Sequence, residues 1–293
     1  MIPAHLLAEL RYVEVATTRA IRTARVGPYT SRTRGPGFEF DQHLPYRVGD
    51  DVRRIDWNVT ARVGAPYIRQ THAERELNLV IAIDLSRSME IGAAGRRKKD
   101  VLMLVAGSLL FSAARDQINV GLLAFTDRVL DWSPPRHASG RTWHLLEELW
   151  AIDAPPADTR LAPAIRHLQG RLTTTTVIVF VSDFLTRDEG LHSRELRPLA
   201  TAHDVIAVVV EDAADLTLPP GSGFVRMRDV ESGGIVSVAL GERHRQKFAA
   251  AVAARRGDLV QTCHRLGIDI AFVRSGQYMV QPVIDLFARR RSA

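Results

Sequence analysis

Four runs of β-branched and aliphatic residues constrain this chain more than any other feature. They are Leu77 to Asp84 (LNLVIAID), Ile118 to Phe125 (INVGLLAF), Thr175 to Asp183 (TTVIVFVSD) and His203 to Asp212 (HDVIAVVVED). Each is apolar nearly throughout instead of alternating, which predicts strands covered on both faces. Helical patterns separate most of them, so the predicted fold class is α/β, with a doubly wound, mainly parallel sheet.

Punctuation fills in the rest. The helix after the first run covers GRRKKDVLMLVAGSLLFSAARDQ, with Val101, Leu104, Val105, Ser108, Leu109 and Ser112 on one face. A turn at Thr126 and Asp127 leads into RVLDW, predicting an antiparallel hairpin at one edge that Pro134 and Pro135 end. Helices are predicted over Gly140 to Trp150 and Ala162 to Leu172, the second opened by Thr159 and Pro163. Residues Pro219 to Leu240 read as a hairpin insertion. A helix over Glu242 to Leu266 places Cys263 on its apolar face, as a core thiol, and stops at Gly267. IDIAFV and VIDLFARR complete the pattern as the last strand and helix.

The first 75 residues differ, with a helix at Ala4 to Ile21, the glycine and proline stretch GPYTSRTRGPGFEF, and β-like segments up to Tyr67 to Thr71. The expected division is therefore a small N-terminal accessory subdomain, 1–75, and a main domain, 76–293.

Several classes of function are disfavoured. Val101 to Phe111, the longest strongly apolar stretch, is about half of the ~20 residues that span a bilayer and is interrupted by Gly107 and Ser108. No membrane span is predicted. Glu9 and Glu14 interrupt the first residues, which lack a secretory pattern, and the single cysteine suits a reducing compartment; a cytoplasmic location is expected. The net charge of +6 comes from basic residues dispersed among acidic ones, which argues against nucleic acid as the partner.

Chemistry concentrates after the strands. Asp84, Ser86 and Ser88 form D-x-S-x-S directly after the first strand, Thr159 lies in a loop before a helix, and Asp183 ends the third run. Loops leaving the carboxyl ends of parallel strands share one crevice, so these five are predicted to converge. Two carboxylates and three hydroxyls are hard oxygen ligands, suited to Mg²⁺, with Mn²⁺ or Ca²⁺ as alternatives, and not to zinc or copper. The set leaves room for water and one external oxygen, which an acidic residue of a client protein could supply. The bland alternative is a collection of caps and turns, because Asp and Ser after strands commonly cap the next helix.

The same five residues resemble the metal-ion-dependent adhesion site of von Willebrand factor type A domains, over roughly Glu76 to the carboxyl terminus. The resemblance implies a Rossmann-type sheet, Asp84, Ser86 and Ser88 as ligands directly or through water, Thr159 joining in a ligand-engaged state, and Asp183 acting through water. Upstream, Tyr46-x-x-Gly49-Asp50-Asp51-x-Arg53-x-Ile55-Asp56-Trp57, then Ala61-Arg62 and Glu74-Arg75, is similar to the signature of a bacterial family of unknown function, number fifty-eight in its series. That resemblance implies a MoxR-type AAA ATPase as partner and, in some members, maturation of methanol dehydrogenase. Asp50, Arg53, Asp56, Trp57 and Arg62 are then either a docking surface or a salt-bridged turn with an aromatic anchor.

The expected function is a metal-dependent protein-binding adaptor or maturation factor, not an enzyme. A metal-dependent hydrolase is the alternative, since an open metal site can activate water, but no general base, H-E-x-x-H pair, G-x-S-x-G elbow or phosphate loop accompanies it. A basic nucleic-acid-binding protein is a second alternative.

Overall fold

A computed structural model of the chain describes residues 2–20, 39–47, 50–72, 77–92, 96–186, 190–192, 194–228, 234–275 and 280–292. The described residues group into two compact units, one drawn from 1–26 together with 77–293 and the other from 27–76.

The larger unit is built on six strands: β3 (Asn78–Asp84), β4 (Asn119–Phe125), β5 (Val129–His137), β6 (Thr176–Ser182), β7 (Asp204–Glu211) and β10 (Asp269–Arg274). Their spatial order is β10-β7-β6-β3-β4-β5, parallel except for the β4 to β5 hairpin. Growth starts at β3, runs outward through β4 and β5, and then reverses through β6, β7 and β10. A topological switch point therefore lies between β3 and β6, where open α/β sheets present their binding crevice.

Both faces are covered, as the continuous apolar strands require. Along β3, Leu79, Ile81 and Ile83 belong to one hydrophobic cluster and Val80 and Ala82 to the other. The first cluster is completed by α1 (Ala4–Ala20), α3 (Lys98–Arg115), α4 (Thr142–Ala151) and α9 (Gln281–Ser292). The second is completed by α5 (Leu161–Arg171), α6 (Leu196–Ala202) and α8 (Glu242–Leu266). The α8 helix ends at Gly267 in the left-handed region, φ 68°, as the sequence predicts, and Cys263 is fully buried.

Three expectations are corrected. The N-terminal helix belongs with the main unit: Leu6 and Leu10 of α1 are buried in the sheet's first cluster, and Arg96 pairs with Glu9. Consequently α3 is apolar all round and not one-faced, because it lies between the sheet and a further helix layer, with buried residues from Val101 through Phe111. Gly107 marks the closest approach, where an added Cβ would come within 2.5 Å of the Leu10 side chain. The third correction concerns β5, which runs through Pro134 and Pro135 to His137. As an edge strand it can carry residues without an N–H, and its register slips opposite Gly121, where a Cβ would meet the Ser133 carbonyl at 2.7 Å.

A four-residue helix, α7 (Ala213–Leu216), follows β7, and β8 (Phe224–Arg228) with β9 (Ile235–Ala239) forms the predicted insertion hairpin. The smaller unit pairs β1 (Glu39–Pro45) with β2 (Tyr67–His72) antiparallel, with α2 (Trp57–Val63) between them in sequence. Signature residues Gly49, Glu74 and Arg75 and most of the glycine and proline stretch lie outside the described residues.

Candidate metal centre

Asp84 closes β3 at the switch point, and the chain leaves it through a 3-10 turn over Arg87–Glu90. The Asp84 Oδ1 accepts the Ser86 N–H at 2.8 Å, which bends the chain so that Ser86 and Ser88 face the same side, their Oγ atoms 3.1 Å apart. Thr159 comes from a distant loop held in register by two backbone bonds: Arg87 N–H to the Ala157 carbonyl at 3.1 Å, and Arg160 N–H to the Thr126 carbonyl at 3.1 Å. From there its hydroxyl reaches Ser86 Oγ at 2.7 Å and Asp84 Oδ2 at 3.2 Å. Asp84, Ser86, Ser88 and Thr159 are all buried.

The cap-and-turn reading accounts for the carboxylates only in part. Asp84 and Asp183 each accept a backbone N–H two residues on, from Ser86 and from Leu185. The hydroxyls do no such work. Ser86 occupies the N-cap of the 3-10 turn without a side-chain cap bond, and the N-cap of α5 is Arg160, not Thr159. Their oxygens instead bond to one another and to Asp84.

Three contributors were not anticipated. Ser182, the last residue of β6, donates to Asp84 Oδ2 at 2.6 Å and accepts the Phe184 N–H at 2.9 Å. Phe184 adopts φ 53°, a sparsely populated conformation for a residue with a side chain, directly after Asp183. Lys98, the first residue of α3, is only 1% exposed and reaches Asp183 Oδ2 at 2.7 Å and Asp215 Oδ2 at 2.9 Å. Ser182 could have been suspected from its place beside Asp183 in VSDF. Lys98 gave no signal in GRRKK, where it is one of four consecutive basic residues at the start of the predicted helix.

Electrostatics follow from burial. Desolvation, with the charge of Asp183 second, pushes the Asp84 carboxyl up to about 7, against the bonds from Ser182 and Ser86. Burial works against the charge of Lys98, but Asp183 and Asp215 hold its ammonium above the usual lysine range.

Among the described residues no three His, Cys, Asp or Glu side chains gather as a metal group by themselves. The hydroxyls make the difference. Mg²⁺ holds oxygens at about 2.0–2.1 Å in an octahedron, which sets neighbouring ligand oxygens about 2.9 Å apart, whereas the longer Ca²⁺ bonds set them roughly 3.3 Å apart or more. The spacings among Asp84, Ser86, Ser88 and Thr159, 2.7 to 3.2 Å, are those of direct hydrogen bonds, and they show that these oxygens lie close enough together to share one small ion. A buried carboxylate whose bonds come from uncharged donors is also a group that a cation would favour. The residues therefore fit a small hard cation.

In the smaller unit, the acidic signature residues fix the backbone. Asp50 accepts the Arg47 N–H, Asp51 caps the 3-10 turn Val52–Arg54 through the Arg53 N–H, and Asp56 caps α2 through Asn58 and Val59 while meeting His43 Nε2 at 3.0 Å. Trp57 is 69% exposed, and Val52, Val63, Arg53 and Arg62 are exposed as well.

A family model described as "Protein of unknown function DUF58" matches residues 42–258. Uncharacterized protein Rv1480 of Mycobacterium tuberculosis (strain H37Rv) is 31% identical over 98% of this chain and 90% of its own length. Among solved structures, conserved hypothetical protein BatB from Bacteroides thetaiotaomicron aligns at 17% identity with a TM-score of 0.46, covering 74% of this chain and 98% of that one. A von Willebrand factor type A structure from Catenulispora acidiphila aligns at 11% identity with a TM-score of 0.40, covering 77% of this chain and 44% of that one.

Proposed function

This chain belongs to the DUF58 family of proteins of unknown function, and from that premise we propose that it is a metal-dependent protein-binding module and not an enzyme. One observation carries the reading: Asp84, Ser86, Ser88 and Thr159, spread over 76 positions of sequence, bring their side-chain oxygens into one hydrogen-bonded cluster at the switch of the sheet. These four would hold the ion, Mg²⁺ foremost with Mn²⁺ or Ca²⁺ as competitors, and Asp183 borders them. When bound, such an ion offers an open coordination position to an oxygen from outside the chain.

The external oxygen is best supplied by a carboxylate, because a dication surrounded largely by neutral hydroxyls retains net positive charge. An acidic side chain of a client protein or of a MoxR-type AAA ATPase has that chemistry. The chain then acts as an adaptor or maturation factor beside the ATPase in the cytoplasm, with methanol dehydrogenase as one candidate client. Within the described residues no helix is long and apolar enough to cross a membrane. The hydrogen-bond partners of Asp84 among the described residues, Ser86, Thr159 and Ser182, include no general base, and the nearby Asp183 carboxylate is tied to Lys98, which favours binding over hydrolysis.

Binding of the purified ATPase to wild type and to the Ser86→Ala/Ser88→Ala variant, in Mg²⁺ and in EDTA, tests the proposal. The wild type is expected to bind only with the metal and the variant in neither condition. Equal binding by both proteins in EDTA would sink the idea.

A further inference from the structure

The crevice is divided between two kinds of neutralisation. On one side lies Lys98, whose ammonium is 1% exposed and contacts Asp183 at 2.7 Å and Asp215 at 2.9 Å. A lysine so buried is rare unless paired, and two carboxylates, one just after β6 and one in α7 after β7, hold this one. Asp215 is itself fixed, its Oδ2 accepting the Asp212 N–H at 2.9 Å within the box that starts α7. On the other side, Asp84 takes its bonds from Ser86, Thr159 and Ser182, none of them charged.

We propose that Lys98 is the residue that sets cation binding in this crevice: its ammonium reserves Asp183, so a divalent ion is held by Asp84, Ser86, Ser88 and Thr159, and its affinity is held down by the resident positive charge. This rests on the metal reading given above. Lysine suits the role because its charge is compact and can meet two carboxylates at once, where a guanidinium would require a planar fork. The consequence is a site that does not fill permanently. The ammonium offsets negative charge that Asp183 would otherwise lend to the ion, so the ion is bound more weakly than it would be without Lys98 until a partner carboxylate adds its own attraction. Metal and partner therefore load together.

Calorimetric titration of Mg²⁺ and Mn²⁺ into wild type, Lys98→Gln, Asp183→Asn and Asp84→Asn, with the melting temperature followed in parallel, tests this assignment. Lys98→Gln frees a carboxylate and removes the competing charge, so it is expected to bind Mg²⁺ at least about tenfold tighter than wild type and to gain more in Tm from the ion. Asp183→Asn is expected to keep binding within a few-fold of wild type, while Asp84→Asn abolishes it. A merely structural lysine would lower Tm on substitution without tightening the ion. The assignment falls if Lys98→Gln binds no tighter than wild type, or if Asp183→Asn abolishes binding as Asp84→Asn does. Should Lys98→Gln fail to fold, the comparison of Asp183→Asn with Asp84→Asn decides by itself. Wild type and Lys98→Gln both silent to divalent ions would overturn the metal reading itself, and this inference with it.

Discussion

Thr159 and Asp84 stand 75 residues apart in sequence, and their buried side chains are joined by a 3.2 Å hydrogen bond. Thr159 thereby ties the loop before α5 to the end of β3. Thr159→Val keeps the shape and removes the hydroxyl, leaving Asp84 and Ser86 each short of a partner. The expected loss is about 1–3 kcal/mol of stability in urea unfolding, together with weaker divalent-ion binding by calorimetry. Unchanged behaviour in both measurements would show that the hydroxyl is a bystander.

The buried carboxyl of Asp84 also sets a pH dependence. Its folded value is raised to about 7 from an ordinary value of 3.8, so between those limits the folded protein holds a proton that the unfolded chain has released. Stability of the metal-free protein should then fall as pH rises through that window, with a slope approaching ~1.4 kcal/mol per pH unit at most. Above about pH 7 both states are ionised and the loss is complete. Asp84→Asn should flatten this part of the profile, and saturating Mg²⁺ should do the same in wild type. A profile identical in wild type and Asp84→Asn would contradict the assignment.

The fold was legible in sequence because continuous apolar strands and glycine stops are local signals. Leu77 to Asp84 announced a doubly covered strand, and Gly267 announced the end of α8. The clustering of Asp84, Ser86, Ser88 and Thr159 was legible for a topological reason, since these residues leave the carboxyl end of β3 or lie in a loop beside it. Lys98 was not, because its burial depends on two carboxylates, 85 and 117 positions downstream, that no local pattern connects to it. The placement of α1 was hidden for the same kind of reason. Its apolar residues say that it must pack, but only Gly107, opposite Leu10, shows against what.

That contact yields a stability prediction. Leu10 is fully buried between α1 and α3, so Leu10→Ala should cost about 2–5 kcal/mol in chemical denaturation. Gly107→Ala attacks the same interface from the other side by crowding the Leu10 side chain. In the double variant the shortened residue 10 makes room for the new methyl, and the combined loss should be smaller than the sum of the single losses. Simple additivity would mean that the two side chains do not meet.

Cys263 should be chemically silent. The thiol is fully buried and desolvation pushes it up to about 12, so thiolate is scarce at neutral pH. A thiol reagent is expected to label no cysteine in the native protein and one after denaturation. Rapid native labelling would place α8 away from the sheet.

The smaller unit separates the two readings of the family signature. Asp56 caps α2 and meets His43, whose hydrogen bond holds the Asp56 carboxyl below its usual range, whereas Trp57 next to it lies 69% exposed. Adjacent residues thus face opposite tasks. Asp56→Ala should lower the melting temperature of the smaller unit and disturb the chemical shifts of Asn58 and Val59. Trp57→Ala and Arg62→Ala should leave stability within about 0.5 kcal/mol, as surface changes usually do. Exposed tryptophan and arginine are the residue types that dominate interface hot spots, so the same two variants should weaken ATPase binding by tenfold or more, about 1.4 kcal/mol. If instead Trp57→Ala melts the unit and leaves ATPase binding intact, the signature is scaffold, and the docking surface must be sought at the metal crevice alone.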